Sequence, residues 1–450
     1  MKKMITLKSL FAGSICLLTG ALQAQSSMPA DTSTFKPGGN VWGYLFGDYA
    51  MKTQNDSLGR GGGNVQYKTP ASLNSGNVVS AANPTPANTQ SNAFQIRRMY
   101  LGYDYNISPK FSASVVLANE QTLLANNQNT TYVKYAFLKW SNIWKNTNLI
   151  LGQYQTCSFA TAFGTEPLFG YRASERTLLD MHNIDGSTDL GASLEGRIWQ
   201  QSNNAEDVKP SLVGYILQIG NGNSATPSVA PFKKVRANLF VAFMNQKLVL
   251  GVYGDYVTQQ YSPYHTSNTT LKAYASFKTE AFHIGVEAFQ QTNQNSDIYQ
   301  VYTKATNTWS KNDTATGVQI GVSVFGSVKL IKNKLNMFAR YDMYNPDTKW
   351  NTNNNYSKAY AGITGSNMTS TTFYTQTFLN AGLDWTPDKR IHIMPNVWYN
   401  AYNSMQSTAG PDFTGKAYSS RMVKDEDVVY RLTFYYLFNS SKKVSNNGFY

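Results

Sequence analysis

Hydrophobic and polar residues alternate with a period of two along most of this chain. In the segment 427–438, "DVVYRLTFYYLF", the even-numbered positions are all apolar or aromatic, whereas the odd-numbered positions include Arg431 and Thr433. Successive side chains of a β-strand point to opposite sides, so this pattern predicts a strand with one continuous apolar face.

The same pattern predicts about sixteen strands. An even number of alternating segments, each of about ten residues, is typical of a bacterial outer-membrane barrel. The predicted strands are 40–50, 93–106, 110–119, 131–141, 147–155, 187–199, 210–220, 232–244, 247–258, 269–279, 281–291, 315–328, 334–345, 371–385, 390–401 and 427–438.

The connections between these segments alternate in length. The short ones are 107–110, 245–246, 280–281, 331–334 and 386–390, and the long ones are 51–92, 156–186, 292–314, 346–370 and 402–426. Short periplasmic turns at one rim and long extracellular loops at the other characterise membrane barrels. Any single segment fits a soluble sheet equally well. Together they predict an all-β, transmembrane, antiparallel β-barrel whose apolar face contacts lipid.

The beginning of the chain predicts export. Lys2, Lys3 and Lys8 precede or flank a short apolar stretch, and a small-residue site predicts cleavage after Ala24. No later apolar run approaches the length of a membrane-spanning helix. The expected organisation is a signal peptide (1–24), a short periplasmic segment (25–39), the barrel (40–438) and a C-terminal tail (439–450), located in the bacterial outer membrane.

Composition narrows the possible functions. Aromatic residues make up 14% of the 450 residues and charged residues also only 14%, against roughly a quarter charged in typical soluble domains. The four histidines have no metal-ligand spacing, and Cys157 is the only cysteine after the predicted signal peptide. We therefore expect no enzyme activity, cofactor, metal or internal disulfide. Export also argues against a nucleic-acid partner, despite the formal charge of +13.

Function is expected on the inward-facing positions, because a barrel of this size encloses a water-filled lumen. The basic candidates for lining the pore are Arg98, Lys134, Arg172, Arg176, Arg197, Lys234, Arg236, Lys272, Arg340 and Arg431. The acidic candidates are fewer: Asp104, Glu195, Asp255, Glu287, Asp342 and Asp384. This excess predicts passive diffusion of small hydrophilic solutes with a mild preference for anions. The alternative is a solvated wall whose charges cancel.

Spacing adds detail to these candidates. Two pairs lie two residues apart on one predicted face and are expected to neutralise each other: Glu195 with Arg197, and Arg340 with Asp342. Arg97 and Arg98 are consecutive, so both can face the lumen only if the strand has a bulge. Without a bulge, either one could be the lumen residue.

The long connection 156–186 is unusually apolar for a loop. It is expected to fold into the barrel, narrow the lumen and bring Arg172 and Arg176 to the constriction. Residues 173–182, "ASERTLLDMH", predict a short helix capped by Ser174. The alternative is that the loop packs against the outer rim.

Two other functions remain open on the same architecture. Inward aromatic residues would let a pore for neutral solutes stack sugar rings: Tyr132, Trp140, Tyr253, Tyr274 and Trp398. Long, Asn-rich outer loops would also suit a structural or adhesin barrel.

Several stretches resemble the phosphate-selective porin O and P family. They are "FQIRRMYLGYDYNISPKFSASVVLANE" (94–120), "YAFLKW" with "LILGQYQT" (135–156), "ERTLLD" (175–180) and "LDWTPDKRIHIMPNVWYN" (383–400), and the similarity runs through nearly all of the chain after the signal peptide. The resemblance implies a sixteen-stranded, trimeric outer-membrane anion channel with an inward third loop whose basic residues bind phosphate.

Carried over residue by residue, the resemblance makes Arg98 a pore arginine of the second strand. It makes Arg172 and Arg176 the basic residues of the inward loop. The chain departs from the family pattern in having Cys157 and Ser158 where proline is common, and in having no lysine in that loop.

Overall fold

A computed structural model shows sixteen antiparallel strands closed into one barrel. The structure describes residues 35–54, 91–120, 130–170, 176–201, 209–260 except 223 and 225, 265–299, 302–303, 308–309, 313–348, 374–407 and 420–439. The barrel strands are β1 Gly38–Gln54, β2 Ser91–Asn106, β3 Phe111–Asn119, β4 Tyr132–Trp144, β5 Thr147–Gln155, β6 Thr188–Gln200, β7 Leu212–Gly220, β8 Lys234–Phe243, β9 Leu248–Gln260, β10 Thr266–Lys278, β11 Phe282–Tyr299, β14 Asp313–Ile331, β15 Leu335–Asn345, β16 Thr375–Asp388, β17 Ile391–Ser407 and β18 Ser420–Asn439.

The predicted strands are confirmed one by one, since each of the sixteen segments overlaps one barrel strand, although several strands are longer than predicted. A separate two-stranded hairpin, β12 Tyr302–Thr303 and β13 Thr308–Trp309, was not predicted. Sequence neighbours pair all the way round, and β18 closes the barrel against β1. Within the described ranges, no helix is long and apolar enough to cross a membrane.

The predicted alternation of faces is also confirmed. On β18, Tyr430 and Leu432 are 51% and 48% exposed, whereas Arg431 and Thr433 are 4% and 0% exposed. The exposed positions form an apolar outer surface, and the buried positions form the inner wall. Hydrocarbon contact is therefore the natural environment of the outer face.

One stretch of predicted parity is wrong. In β4 the pairing register shifts between Val116 and Leu117 of β3, so the extra residue Lys134 is accommodated as a bulge. Tyr135, expected on the same face as the exposed Val133, is instead 3% exposed and faces inward. The bulge reverses the parity of the strand after Lys134.

The two rims differ as predicted. Six of the seven connections on one rim are four residues or shorter, and the opposite rim carries the long loops. The exception on the tight-turn rim is 201–211 between β6 and β7, and the shortest loop of the other rim is 261–265.

Gly152 of β5 marks a close approach of two strands. It has a φ of 121°, and a Cβ at this position would collide with the carbonyl oxygen of Ala136 on β4. Only glycine adopts such a conformation without strain.

We predict that Gly152→Ala lowers the free energy of unfolding of the barrel by about 1–3 kcal/mol, the usual cost of a strained backbone. The measurement is a urea titration followed by the heat-modifiable electrophoretic shift. Gly38→Ala is the matched control, because a Cβ at Gly38 meets nothing within 4 Å. Equal stability of the two variants would contradict the prediction.

Candidate pore and its charged interior

The connection between β5 and β6 folds into the barrel, as predicted. It contains two short helices, α1 Thr165–Phe169 and α2 Leu178–Met181. Its residues contact inner-wall side chains from β7 to β15, so it lies inside the wall and not on the outer rim. We call the described residues of this connection, 156–170 and 176–187, the inward loop.

The first contact of the inward loop with the wall is a buried charge cluster around Asp185. Its carboxylate accepts two hydrogen bonds from Arg236, each 2.9 Å long, and one of 3.0 Å from Lys234. Arg236 also contacts Asp189 at 2.6 Å, and Lys234 contacts Asp255 at 2.9 Å. Burial disfavours the charged carboxylate, but the two cations outweigh it and hold the pKa of Asp185 well below its usual range.

A second contact lies at the start of α1. Thr165 donates a hydrogen bond of 2.9 Å to Glu287 on β11. Lys272 on β10 donates to Glu287 at 2.9 Å and to Thr165 at 3.1 Å. All three side chains are buried. Lys272 thus faces inward as predicted, but its charge is paired.

The third contact reaches β14 and β15. The ring of Phe169 stacks on Phe325 with centroids 5.9 Å apart, and Arg340 donates to the backbone carbonyl of Arg176. Arg340 also forms the predicted pair with Asp342, at 2.6 and 3.0 Å. Arg176 is therefore half-buried at the wall, whereas Arg172 lies outside the described residues.

Arg97 and Arg98 both face inward, because β2 has the bulge that this requires. Phe46 pairs with Arg98 and the next residue, Gly47, pairs with Ile96, which leaves Arg97 as the extra residue. Both arginines are 1% exposed.

Asp48 on β1 lies between cations from two neighbouring strands. It is 3.7 Å from Arg97 and 3.9 Å from Arg431. Arg431 also donates to Asn396 and stacks on Trp398, with 3.9 Å between the guanidinium carbon and the ring centroid. One face of Trp398 is therefore occupied by the protein itself.

Lys134, the extra residue of the β4 bulge, faces inward and contacts Glu120 at 2.6 Å. Glu120 also accepts hydrogen bonds from Tyr100 and Tyr132. Arg197 is different from the other candidates, since it is exposed near the tight-turn rim. It donates to Gln200 at 2.6 Å, so the predicted pair with Glu195 is wrong.

The predicted excess of inward basic residues is not present in the described interior. The buried basic side chains are Lys52, Arg97, Arg98, Lys134, Lys234, Arg236, Lys272, Arg340 and Arg431. The buried acidic side chains are Asp48, Glu166, Asp185, Asp189, Asp255, Glu287, Asp342, Asp347, Asp384 and Asp427. Nine cations therefore face ten anions, because six of these acids were not predicted to face inward: Asp48, Glu166, Asp185, Asp189, Asp347 and Asp427.

Part of the inner wall is lined by packed aromatic rings instead of polar groups. Buried aromatic rings line the wall from β14 through β18 and β1 to β4, and Phe169 of the inward loop packs against them. They are Tyr44, Phe46, Tyr100, Tyr135, Phe325, Phe338 and Tyr435. At the level of the inward loop, the barrel is therefore narrowed by packed side chains.

Three of the five aromatic residues proposed for sugar stacking, Tyr253, Tyr274 and Trp398, are engaged within the protein. Tyr253 donates to Asp255 at 2.7 Å, and Tyr274 hydrogen-bonds Asn238 at 3.1 Å. Both are nearly fully buried, as is Trp398. These rings stabilise the wall and offer no free face to a solute.

A cavity of about 190 Å³ opens at the tight-turn end, beneath Phe169. Lys278, Lys329, His283 and His392 are among its lining residues. His392 contacts Asp384 at 2.9 Å, and His283 contacts Ser276 at 2.9 Å. We call this cavity the vestibule.

Helix α1 was not predicted from the sequence. Pro167 in the first turn and Gly170 just after the last turn, with a φ of 76°, are signals that could have revealed it. The helix predicted over 173–182 is shorter than expected, since α2 begins after Thr177. Ser174, the expected cap, lies outside the described residues. Among those that are described, no group of three or more His, Cys, Asp or Glu residues could hold a metal ion.

The fold has counterparts among solved bacterial outer-membrane proteins. The outer membrane channel DcaP of Acinetobacter baumannii aligns with a TM-score of 0.53 at 12% identity, covering 91% of this chain and 100% of that one. OmpT of Vibrio cholerae aligns with a TM-score of 0.47 at 10% identity (91% and 99% covered). OmpF of Salmonella typhi, in complex with daunomycin, aligns with 0.46 at 11% (89% and 97%).

The likeness to the DcaP channel supports the fold class and nothing finer. No protein-family model matches the chain, and no curated protein matches it. The phosphate-selective resemblance therefore stays a prediction, whereas the closed sixteen-stranded barrel is shown.

We predict that Asp185→Ala lowers the free energy of unfolding by about 3–5 kcal/mol, because it leaves Lys234 and Arg236 buried with too little negative charge. Asp388→Ala, at an exposed turn, is the matched control and should change stability little. Urea titrations at pH 7 measure both variants.

The pH dependence gives a second check on the same variant. Because the folded pKa of Asp185 is lowered, its contribution is complete above the unfolded carboxyl pKa of about 3.9 and shrinks as pH falls below it. The stability difference should therefore be constant from pH 5 to 8. A difference that disappears already near pH 6 would contradict the assigned ion pairs.

Proposed function

We propose that this protein is an outer-membrane channel through which small hydrophilic solutes diffuse passively. The observation that carries the proposal is a closed barrel with an apolar outer face and an inner wall rich in charged and hydroxyl groups. Such a wall suits an aqueous path, whereas a barrel that only anchored loops would have no need of it.

The inward loop supports a low size limit for the solutes. It contacts the wall at β8, β11 and β15 and packs Phe169 against the aromatic lining. A passage that narrows at this level would admit small molecules and hold back larger ones.

In liposome swelling assays, we expect rates that fall steeply with solute size and do not saturate with concentration. The controls are liposomes without protein and liposomes with unfolded protein. Saturable uptake of one sugar would favour the alternative of a sugar-binding pore, and absence of swelling would favour a structural or adhesin barrel.

A weak preference for anions belongs to the same proposal. The deep cations are balanced by acids, but the vestibule is lined by Lys278 and Lys329, which form no ion pair with any described residue. Both are exposed, and Asp384, which contacts His392, is the one acid among the lining residues, so the two lysines leave a net positive field at one mouth. Phosphate, implied by the family resemblance, is one such anion, and the trimeric state is implied by the same resemblance.

We expect a KCl gradient across a planar bilayer to give a small reversal potential of anionic sign. Lys278→Glu combined with Lys329→Glu should move it toward cation preference, because two positive charges at the mouth become negative. Lys145→Glu with Lys247→Glu reverses as many exposed charges away from the vestibule and is the control. A wild-type channel that prefers cations, or equal shifts in both variants, would contradict the proposed preference.

A further inference from the structure

Exposed basic side chains lie along most of the tight-turn rim. Six of the seven connections on this rim contain or adjoin at least one that does not line the vestibule. They are Lys110, Lys145, Arg197, Lys209, Lys247, Lys332, Lys334, Lys389 and Arg390, which we call the basic rim. Exposed acids among the described residues of these connections are Glu280 and Asp388. Glu206 and Asp207 lie outside the described residues.

The cations alternate with exposed apolar side chains of the outer face. Trp144, 41% exposed, precedes Lys145, and Met244, 59% exposed, lies three residues before Lys247. Ile107 has the same relation to Lys110. The positive charges therefore begin where the apolar outer surface ends.

The densest part of the basic rim is formed by two neighbouring turns, β14–β15 and β16–β17. The backbone N–H of Thr386 donates to the carbonyl of Lys334 at 2.8 Å, and Leu335 pairs with Trp385. This patch carries four exposed cations, Lys332, Lys334, Lys389 and Arg390, and one exposed acid, Asp388.

Large apolar side chains border this patch directly. Ile331 and Trp385 are 53% and 49% exposed, and Ile391, which follows Arg390, is 42% exposed. Aromatic and aliphatic groups next to lysine and arginine are the arrangement found at membrane interfaces, where the stem contacts acyl chains and the charge reaches the headgroups. A soluble polyanion would match the charges but not this apolar border.

We propose that the basic rim binds the phosphate groups of anionic phospholipids in the membrane leaflet at the tight-turn side. The inference rests on the proposed membrane location but not on conduction. Clusters of lysine and arginine beside a membrane-spanning segment attract anionic lipid in just this way. Cations spread along most of the rim would hold anionic lipid around one end of the barrel.

The test uses the purified full-length protein in nanodiscs of equimolar phosphatidylglycerol and phosphatidylcholine, with bound lipid counted by native mass spectrometry. Wild-type protein should retain more phosphatidylglycerol than phosphatidylcholine. Lys334→Glu combined with Lys389→Glu should reduce that enrichment by about tenfold, since each cation contributes a severalfold preference.

The matched control is Lys233→Glu combined with Lys424→Glu, two exposed cations at the opposite rim. It should keep the enrichment, and both variants should retain the heat-modifiable shift of the folded barrel. Absence of enrichment in the wild type, or equal losses in the two variants, would overturn the proposal.

Two further outcomes separate related ideas. If the rim variant keeps its lipid but no longer binds isolated peptidoglycan sacculi, the partner is a cell-wall polymer and the lipid proposal fails. Swelling rates in phosphatidylcholine vesicles should be equal for wild type and rim variant. If wild-type protein shows no swelling but still enriches phosphatidylglycerol, the channel proposal fails and the lipid site remains supported.

Discussion

The hydrogen-bonding requirement of the backbone in hydrocarbon determines most of this structure. Each unpaired peptide group in a bilayer costs several kcal/mol, so strands can cross it only when every edge is paired. Here the pairing runs unbroken from β1 round to β18. Because all sixteen strands are held by main-chain bonds, their side chains are free to differ: apolar outside, and charged, hydroxylic or aromatic inside.

That freedom explains how a long loop can lie within the barrel. A loop in the interior loses water, and its charged groups need partners in the wall. Asp185 meets Lys234 and Arg236, and Thr165 meets Glu287 and Lys272. The wall and the inward loop therefore neutralise each other, and the exposed cations of the described barrel lie near its ends, among them those of the vestibule and the basic rim.

The sequence predicts the positions of the strands but not the balance and pairing of the charges in the interior. Period-two alternation and loop rhythm identified all sixteen barrel strands, because lipid outside and polar groups inside impose that pattern on each. The assignment of residues to the inner or outer face failed after the bulge at Lys134, since one extra residue reverses the alternation without altering composition. The prediction ended β11 too early, at residue 291, because the residues from Gln291 to Gln294 are all polar and show no alternation of apolar and polar side chains. Ion pairs such as Arg97 with Asp48 join strands, so no spacing within one strand could reveal them.

The seam between the first and last strands has a consequence for how the molecule is made. Trp42 pairs with Asn439, so contacts between residues near the two ends of the barrel sequence complete the cylinder. Chain entropy makes such distant contacts slow to form, and neither partner strand has its second neighbour until they do. The nascent polypeptide must therefore be kept from aggregating until its final twenty residues of strand arrive, which makes assembly, and not the finished barrel, the vulnerable stage in the life of this protein.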